Sequence, residues 1–377
     1  MKYVDEFRDQ RQARAIAAAI AREAKGERHY RVMEFCGGHT HAIFRYGVQG
    51  LMPGNVEFVH GPGCPVCVLP VGRLDEAMQM VERHDVILCT YGDMMRVPGG
   101  KRRSLMQVKA DGADIRMVYS TQDALKVARE NPERQVVFFA IGFETTTPPT
   151  AVAMKQAQAE GLRNFSVFCN HVLTPPALGA ILNAETPIDV DAFLGPSHVS
   201  TVIGSSAYEP FAEKYRKPIV IAGFEPLDVM QSTLMVIRLL NEGRLNLVEN
   251  EYTRAVTREG NAKAQALVHE VFEPRDSFEW RGLGLIPESA LQIRAGFSGF
   301  DAERRFPVQA QPVTEAKGCA CPEILRGQKK PLDCKLFGTV CTPENPMGSC
   351  MVSSEGACAA YWSYGRHCHD QSLRAAR

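Results

Sequence analysis

Twelve cysteines in a chain of 377 residues make sulfur the first chemistry to consider. Cys64 and Cys67 stand two residues apart in "GPGCPVCVLP", a pair that can close as a disulfide, hold zinc, bind iron or do nothing. Cys36 precedes Gly37-Gly38-His39-Thr40-His41 and follows the apolar run "RVMEF". A thiol at such a strand end, next to a helix start, is expected to lose pKa to the helix dipole and become a reactive thiolate. His39 and His41 are candidate ligands or proton carriers. The tail carries Cys319, Cys321, Cys334, Cys341, Cys350, Cys358 and Cys368. It lacks the paired C-x2–4-C knuckles of structural zinc and suits an iron–sulfur cluster, whose four thiolates need only converge in space. Spacing leaves open which four of the seven would serve. Cys89 and Cys169 end apolar runs and read as buried small hydrophobes.

These residues need elements to hold them. From about Tyr30 to Glu225, short apolar runs recur: "YRVMEFC", "NVEFVHG", "DVILCTYG", "DIRMVYS", "QVVFFAIG", "FSVFCNH", "DAFLGP" and "PIVIAGF". Several are apolar throughout, as in parallel strands covered on both faces. Amphipathic stretches such as "RLDEAMQMVERH", "TQDALKVARE" and "PTAVAMKQAQAEG" fit crossover helices, and the alternation implies an α/β fold with parallel sheets. "VVFFAIGFETTTP" echoes "PIVIAGFEPLD", which two related lobes would explain. "LDVMQSTLMVIRLLNEG" and "NAKAQALVHEVFE" read as helices, and periodicity fades after Phe278. The expected division is an N-terminal helix in 1–29 packed on the body, an α/β lobe over 30–147, a second α/β lobe over 148–244, and a mainly helical C-terminal iron–sulfur domain over 245–377. In open parallel sheets, ligands bind outside the carboxyl ends of the strands. Here those ends carry "CGGHTHAI", "GPGCPVC", "GFETTTPP", "GPSHVSTVIG" and "GFEP". Thr145, Thr146 and Thr147 could equally cap helices, and Glu355 in "SSEGAC" reads as a cap near the tail thiols.

Composition removes other classes. Lys plus Arg equals Asp plus Glu, so no net field points to nucleic acid or an anionic membrane. The patch "AIAAAIA" is too short and too charged at its flanks to span a membrane or serve as a signal core, so the expectation is a soluble cytosolic protein. There is no Walker phosphate loop and no G-x-S-x-G elbow.

The set "EFCGGHTHAI", "GPGCPVCV", "GFETTTP", "GPSHVSTVIG", "AGFEP" and "CTPENPMGSCMVSSEGACAAYW" resembles the HypD family of [NiFe]-hydrogenase maturation factors from about residue 30 to 365. The resemblance implies two α/β lobes and a helical domain with a 4Fe–4S cluster. It also implies a scaffold role with HypC, on which an iron ion acquires two cyanides and one carbon monoxide. The cyanides would come as thiocyanate from HypE, a transient partner; on its own the chain would be a monomer. Carried over by motif, the cluster pattern C-x12-C-x6-C-x16-C falls on Cys321, Cys334, Cys341 and Cys358. Cys319 and Cys350 match a redox thiol pair beside it, Cys36 the iron-binding thiol, and Cys64 and Cys67 a second essential pair. Cys368 and His369 lie beyond the matched pattern. His39, Glu144, Thr145, Thr146, Thr147 and His198 are candidates for orienting HypE's C-terminal tail or bonding cyanide nitrogens. The expected chemistry is an electron relay from the cluster through Cys319/Cys350 to Cys64/Cys67, beside iron on Cys36. Two other classes compete: an iron–sulfur-coupled thiol–disulfide oxidoreductase, which has no use for Cys36, and a non-catalytic metal adaptor.

Overall fold

The structure, a computed structural model, describes residues 5–185, 188–309 and 316–365. Cys368 and His369 lie outside the described residues. Each of the eight apolar runs forms a strand: β1 (Tyr30–Glu34), β2 (Val56–His60), β3 (Ile87–Thr90), β4 (Ile115–Met117), β5 (Val136–Gly142), β6 (Phe165–His171), β7 (Ala192–Pro196) and β8 (Ile219–Ala222). β3, β5, β6, β7 and β8 are buried at every position, which is why they read as continuous rather than alternating hydrophobicity.

Two parallel sheets result. With β9 (Val248–Asn250), the first has the order β2-β1-β7-β8-β9; the second has the order β4-β3-β5-β6. Segments 30–147 and 148–244 therefore do not each build one sheet. β1 and β2 pair into the same sheet as β7 to β9, while β6, from the second segment, pairs with β5. The chain begins one sheet, leaves to make the other, and returns. A boundary drawn where helix and strand alternate smoothly cannot detect this, because parallel pairing is long-range and each crossover looks alike in sequence.

Each strand order reverses once, between β1 and β7 in the first sheet and between β3 and β5 in the second. Such switch points open crevices at the strand ends. Cys36 lies at the first of them.

The helix α1 (Gln10–Glu23), capped by Asp9, buries Ile20 in the core that the first sheet shares with the helix Pro226–Glu242. Bidentate pairing of Arg8 with Glu225, at 2.6 and 2.8 Å, ties this N-terminal segment to the Gly-Phe-Glu loop after β8. Residues 272–293 form two small antiparallel ladders, β10 (Phe272–Pro274) with β13 (Leu291–Ile293) and β11 (Ser277–Trp280) with β12 (Gly284–Pro287). These strands have three or four residues each, too few for a period to register. The tail from 316 to 365 is a succession of short helical turns, including Cys321–Leu325, Ser349–Met351 and Ala357–Ala360. Among the described residues no helix is long and apolar enough to cross a membrane.

Candidate functional site

Cys36 is the N-cap of the helix α2 (Gly37–Arg45), as expected from a strand end followed by Gly-Gly-His. The expected low thiol pKa does not follow. Burial pushes the Cys36 thiol up to about 12, and the nearby charges of Glu355 and Glu34 push the same way. The N–H groups of Gly38 and His39 act in the opposite direction and lose. Desolvation outweighs a helix terminus when the residue is only 7 % exposed. Cys36 is thus held as the protonated thiol.

The Gly-Pro-Gly turn has a steric purpose. Gly61 N–H donates to the Glu34 carbonyl at 2.7 Å, and Gly37 N–H donates to the Gly63 carbonyl at 3.0 Å. A Cβ on Gly63 would lie 2.5 Å from Cys36 Cα, so only glycine lets the turn lie flush on the thiol's own backbone. Cys64 follows directly as N-cap of the short helix α3 (Pro65–Val68), and Cys64 and Cys67 are joined in a disulfide. Both are buried, at 3 % and 0 % exposed.

Gly38 is not crowded in this way: a Cβ there would make ordinary contacts with Cys36 Sγ at 3.7 Å and His198 Cε1 at 3.9 Å, which places His198 near the thiol. His198 stacks on Phe224 with ring centroids 4.3 Å apart. His39 is buried; its Nε2–H donates to the Ala222 carbonyl at 2.9 Å, and its Nδ1 has no hydrogen-bond partner. Burial holds the His39 pKa low, so the ring is neutral and Nδ1 presents a lone pair.

Glu355 is not a helix cap. Its Oε2 would lie 2.7 Å from a Cβ on Gly37, so glycine at 37 leaves room for this carboxyl beside Cys36. Burial raises its pKa to about 6, with Asp93 and Glu34 adding to the effect. Glu144 lies elsewhere: its carboxyl accepts from Thr174 N–H at 2.7 Å and Thr174 Oγ at 2.9 Å, anchoring the helix Thr174–Leu182. Thr146 and Thr147 donate to the Phe143 carbonyl, stabilising their own loop. None of these side chains, nor Thr145, bonds to the Cys36 cluster. Cys89 and Cys169 are buried, and Cys169 Sγ donates to the Leu291 carbonyl at 3.3 Å.

Six tail thiols, Cys319, Cys321, Cys334, Cys341, Cys350 and Cys358, line one small cavity of ≈ 10 Å³ with Ile324, Phe337 and Met351. Among the described residues no three His, Cys, Asp or Glu groups are grouped to hold a metal ion. A thiol-rich, apolar-walled cavity nevertheless has the donor chemistry of an iron–sulfur site. Within it, the close contact is not between Cys319 and Cys350. Cys321 Sγ lies 2.6 Å from Cys350 Sγ. Hydrogen bonds from Cys319 and Cys350, with the charge of Arg281, hold the Cys321 thiol well below its ordinary pKa. Sequence spacing does not separate Cys319 from Cys321, which differ by two positions; in the structure Cys321 is the neighbour of both Cys319 and Cys350.

One residue joins the two sulfur centres. Ser349 Oγ donates to the Cys67 carbonyl at 3.1 Å and lies 3.8 Å from Cys321 Sγ, while the Ser349 carbonyl oxygen is 3.9 Å from Cys67 Sγ. The backbone supports the same junction, the main-chain N–H of Arg281 donating to the Val68 carbonyl at 2.8 Å. Neither Ser349 nor Arg281 stood out in the sequence. Ser349 could have been suspected from its place beside Cys350; Arg281 had no signal.

Two parallel sheets, with a thiol at one switch point and a disulfide against it, joined through Ser349 to a thiol-lined cavity, define a cysteine-rich α/β protein with two coupled sulfur centres. A family model described as "HypD: Hydrogenase formation hypA family" matches residues 11–365. The chain belongs to the HypD family. It is 63 % identical over 372 residues, 97 % of each chain, to "Hydrogenase maturation factor HypD" of Azotobacter vinelandii. It is 60 % identical over 382 residues, 100 % of each chain, to HypD2 of Bradyrhizobium diazoefficiens, and 48 % identical over 370 residues, 97 % of this chain and 98 % of the relative, to HypD of Escherichia coli.

Proposed function

We propose that this chain is a [NiFe]-hydrogenase maturation factor that, with a HypC partner, holds an iron ion on Cys36 while the ion receives two cyanides and one carbon monoxide. The observation that carries the reading is the contact of three sulfur groups in sequence: Cys36 against the Gly63–Cys64 turn, Cys67 against Ser349, and Ser349 against Cys321. A soft thiolate suits low-spin ferrous iron with strong-field ligands. The raised thiol pKa means that iron displaces the Cys36 proton on binding, and the carboxylates of Glu34 and Glu355 favour a cation there.

Releasing cyanide from a thiocyanate carried by HypE takes two electrons. The Cys64/Cys67 dithiol supplies them by closing its disulfide. Restoring the dithiol follows ordinary thiol–disulfide exchange. The Cys321 thiolate attacks Cys67 Sγ and releases Cys64; Cys350 then attacks Cys321 and releases Cys67, so two electrons pass and a Cys321–Cys350 disulfide forms. This replaces Cys319/Cys350 as the tail pair, on the strength of the 2.6 Å contact, and leaves Cys319, Cys334, Cys341 and Cys358 as the thiolates for a 4Fe–4S cluster. The cluster, when bound, supplies electrons one at a time.

The alternative, a general thiol–disulfide oxidoreductase, gives no role to Cys36, although the Gly63–Cys64 turn lies on its backbone. The test is infrared spectroscopy of the chain purified anaerobically with its HypC partner, alongside iron and sulfide analysis. Cyanide and carbonyl bands are expected in the unaltered protein and lost in Cys36→Ala. Cys64→Ala is expected to keep cluster absorbance and lack cyanide bands; unchanged bands in that variant would sink the relay.

A further inference from the structure

Glu34, the last residue of β1 and the first of "EFCGGHTHAI", is 0 % exposed. Its carboxylate takes three donors, two from the start of α2 and one from the end of β2. Oε2 accepts from the Cys36 N–H at 3.1 Å, while Oε1 accepts from the Thr40 hydroxyl in α2 and from His60 Nδ1, the last residue of β2, at 2.6 Å. The main-chain carbonyl of Glu34 takes the Gly61 N–H at 2.7 Å. A buried carboxylate is tolerated only when its lone pairs are used in this way, and charge-assisted bonds are the stronger kind.

The consequence is geometric. β1 delivers Cys36, α2 delivers the helix start beside it, and β2 delivers the turn Gly61–Cys64. Glu34 grips all three at the points where they part. Gly63 lies flush on Cys36, and Cys64 is one peptide further along, about 3.8 Å from Gly63 Cα to Cα. A rotation of the β2 end relative to α2 would therefore move Cys64 with respect to Cys36.

We propose that Glu34 is a positioning residue that sets the separation of the Cys36 and Cys64 sulfurs, so that metal on one and redox chemistry on the other address the same small ligand. This deepens the proposed function, but its test needs no iron. In the full chain with Cys67→Ser, Cys64 is left as a thiol next to Cys36. After anaerobic reduction, diamide takes the two electrons and two protons as Cys36 and Cys64 couple, and peptide mass spectrometry follows the new disulfide. Glu34→Ala, in this background, is expected to slow the coupling by about tenfold, as lost proximity does. Glu34→Gln keeps the shape and an acceptor for the Cys36 N–H, and is expected to stay within about twofold of the parent. An unchanged rate in Glu34→Ala overturns the proposal, and so does a Glu34→Gln rate as slow as that of Glu34→Ala, since charge rather than position would then be responsible. If Glu34→Ala does not fold, Thr40→Val takes its place: slower coupling supports the assignment and an unchanged rate refutes it. Absence of infrared cyanide bands in the unaltered protein would defeat the iron reading without touching these rates.

Discussion

Cys36 shows how one residue's environment reverses the reading of its position. A helix N-terminus normally acidifies a thiol, but burial and two carboxylates win here. The sign for stability follows. A thiol whose folded pKa is raised to about 12 contributes fully below its ordinary value near 9, and that contribution is lost as pH rises through 12. Iodoacetamide should therefore label Cys36 slowly at pH 8 and faster with each rise in pH. Glu355→Gln removes one of the two charges and should raise the labelling rate at pH 8 several-fold, read by peptide mass spectrometry. Equal rates in the two proteins would mean that Glu355 does not act on the thiol.

At the scale of elements, the decisive feature is how closely strand ends and turns approach. Gly63 has no room for a Cβ because the Cys36 backbone is already there. Gly63→Ala must push the Gly61–Cys64 turn off β1, and backbone cannot yield as a flexible side chain would. The expected cost is on the order of 1–3 kcal/mol of stability, measured by denaturant unfolding. Gly72→Ala, where a Cβ meets open space, is the matched control and should change little. A Gly63→Ala protein as stable as the control would contradict the close contact. Similar logic explains the threonines of "GFETTTP". The hydroxyls of Thr146 and Thr147 donate to the Phe143 carbonyl, so these two residues help to close their own loop.

For the molecule as a whole, the interleaving of the two sheets matters most. β1 and β2 need β7 and β8 beside them, and β5 needs β6, so any cut between residues 147 and 148 divides both sheets. A fragment of residues 1–147 should lack a protease-resistant core, as judged by limited proteolysis and circular dichroism. A stable, compact fragment would show that the first two strands do not depend on their later partners. Arg73 contributes to the joining of distant segments: it bonds Asn170 Oδ1 at 2.5 Å, the Cys169 carbonyl at 3.2 Å, and Glu303.

Much was decided by local sequence. Runs such as "QVVFFAIG" are apolar at every position because both faces of a central parallel strand are covered, and their places emerged correctly from hydrophobicity. The residue types of the site were legible too: Cys36 before a Gly-Gly-His helix start, the Cys64/Cys67 pair, and a tail rich in thiols. What the linear order could not hold is which groups meet. The partnering of β1 with β7, the choice of Cys321 over Cys319 as neighbour of Cys350, and the meeting of Cys67 with Ser349 all join residues far apart in the chain or separate residues almost adjacent in it. The same holds for the thiol's acidity, since burial and the placement of Glu34 and Glu355 are properties of the packed interior. Local pattern reports the cost of burying each residue; only the closed fold determines against what it is buried.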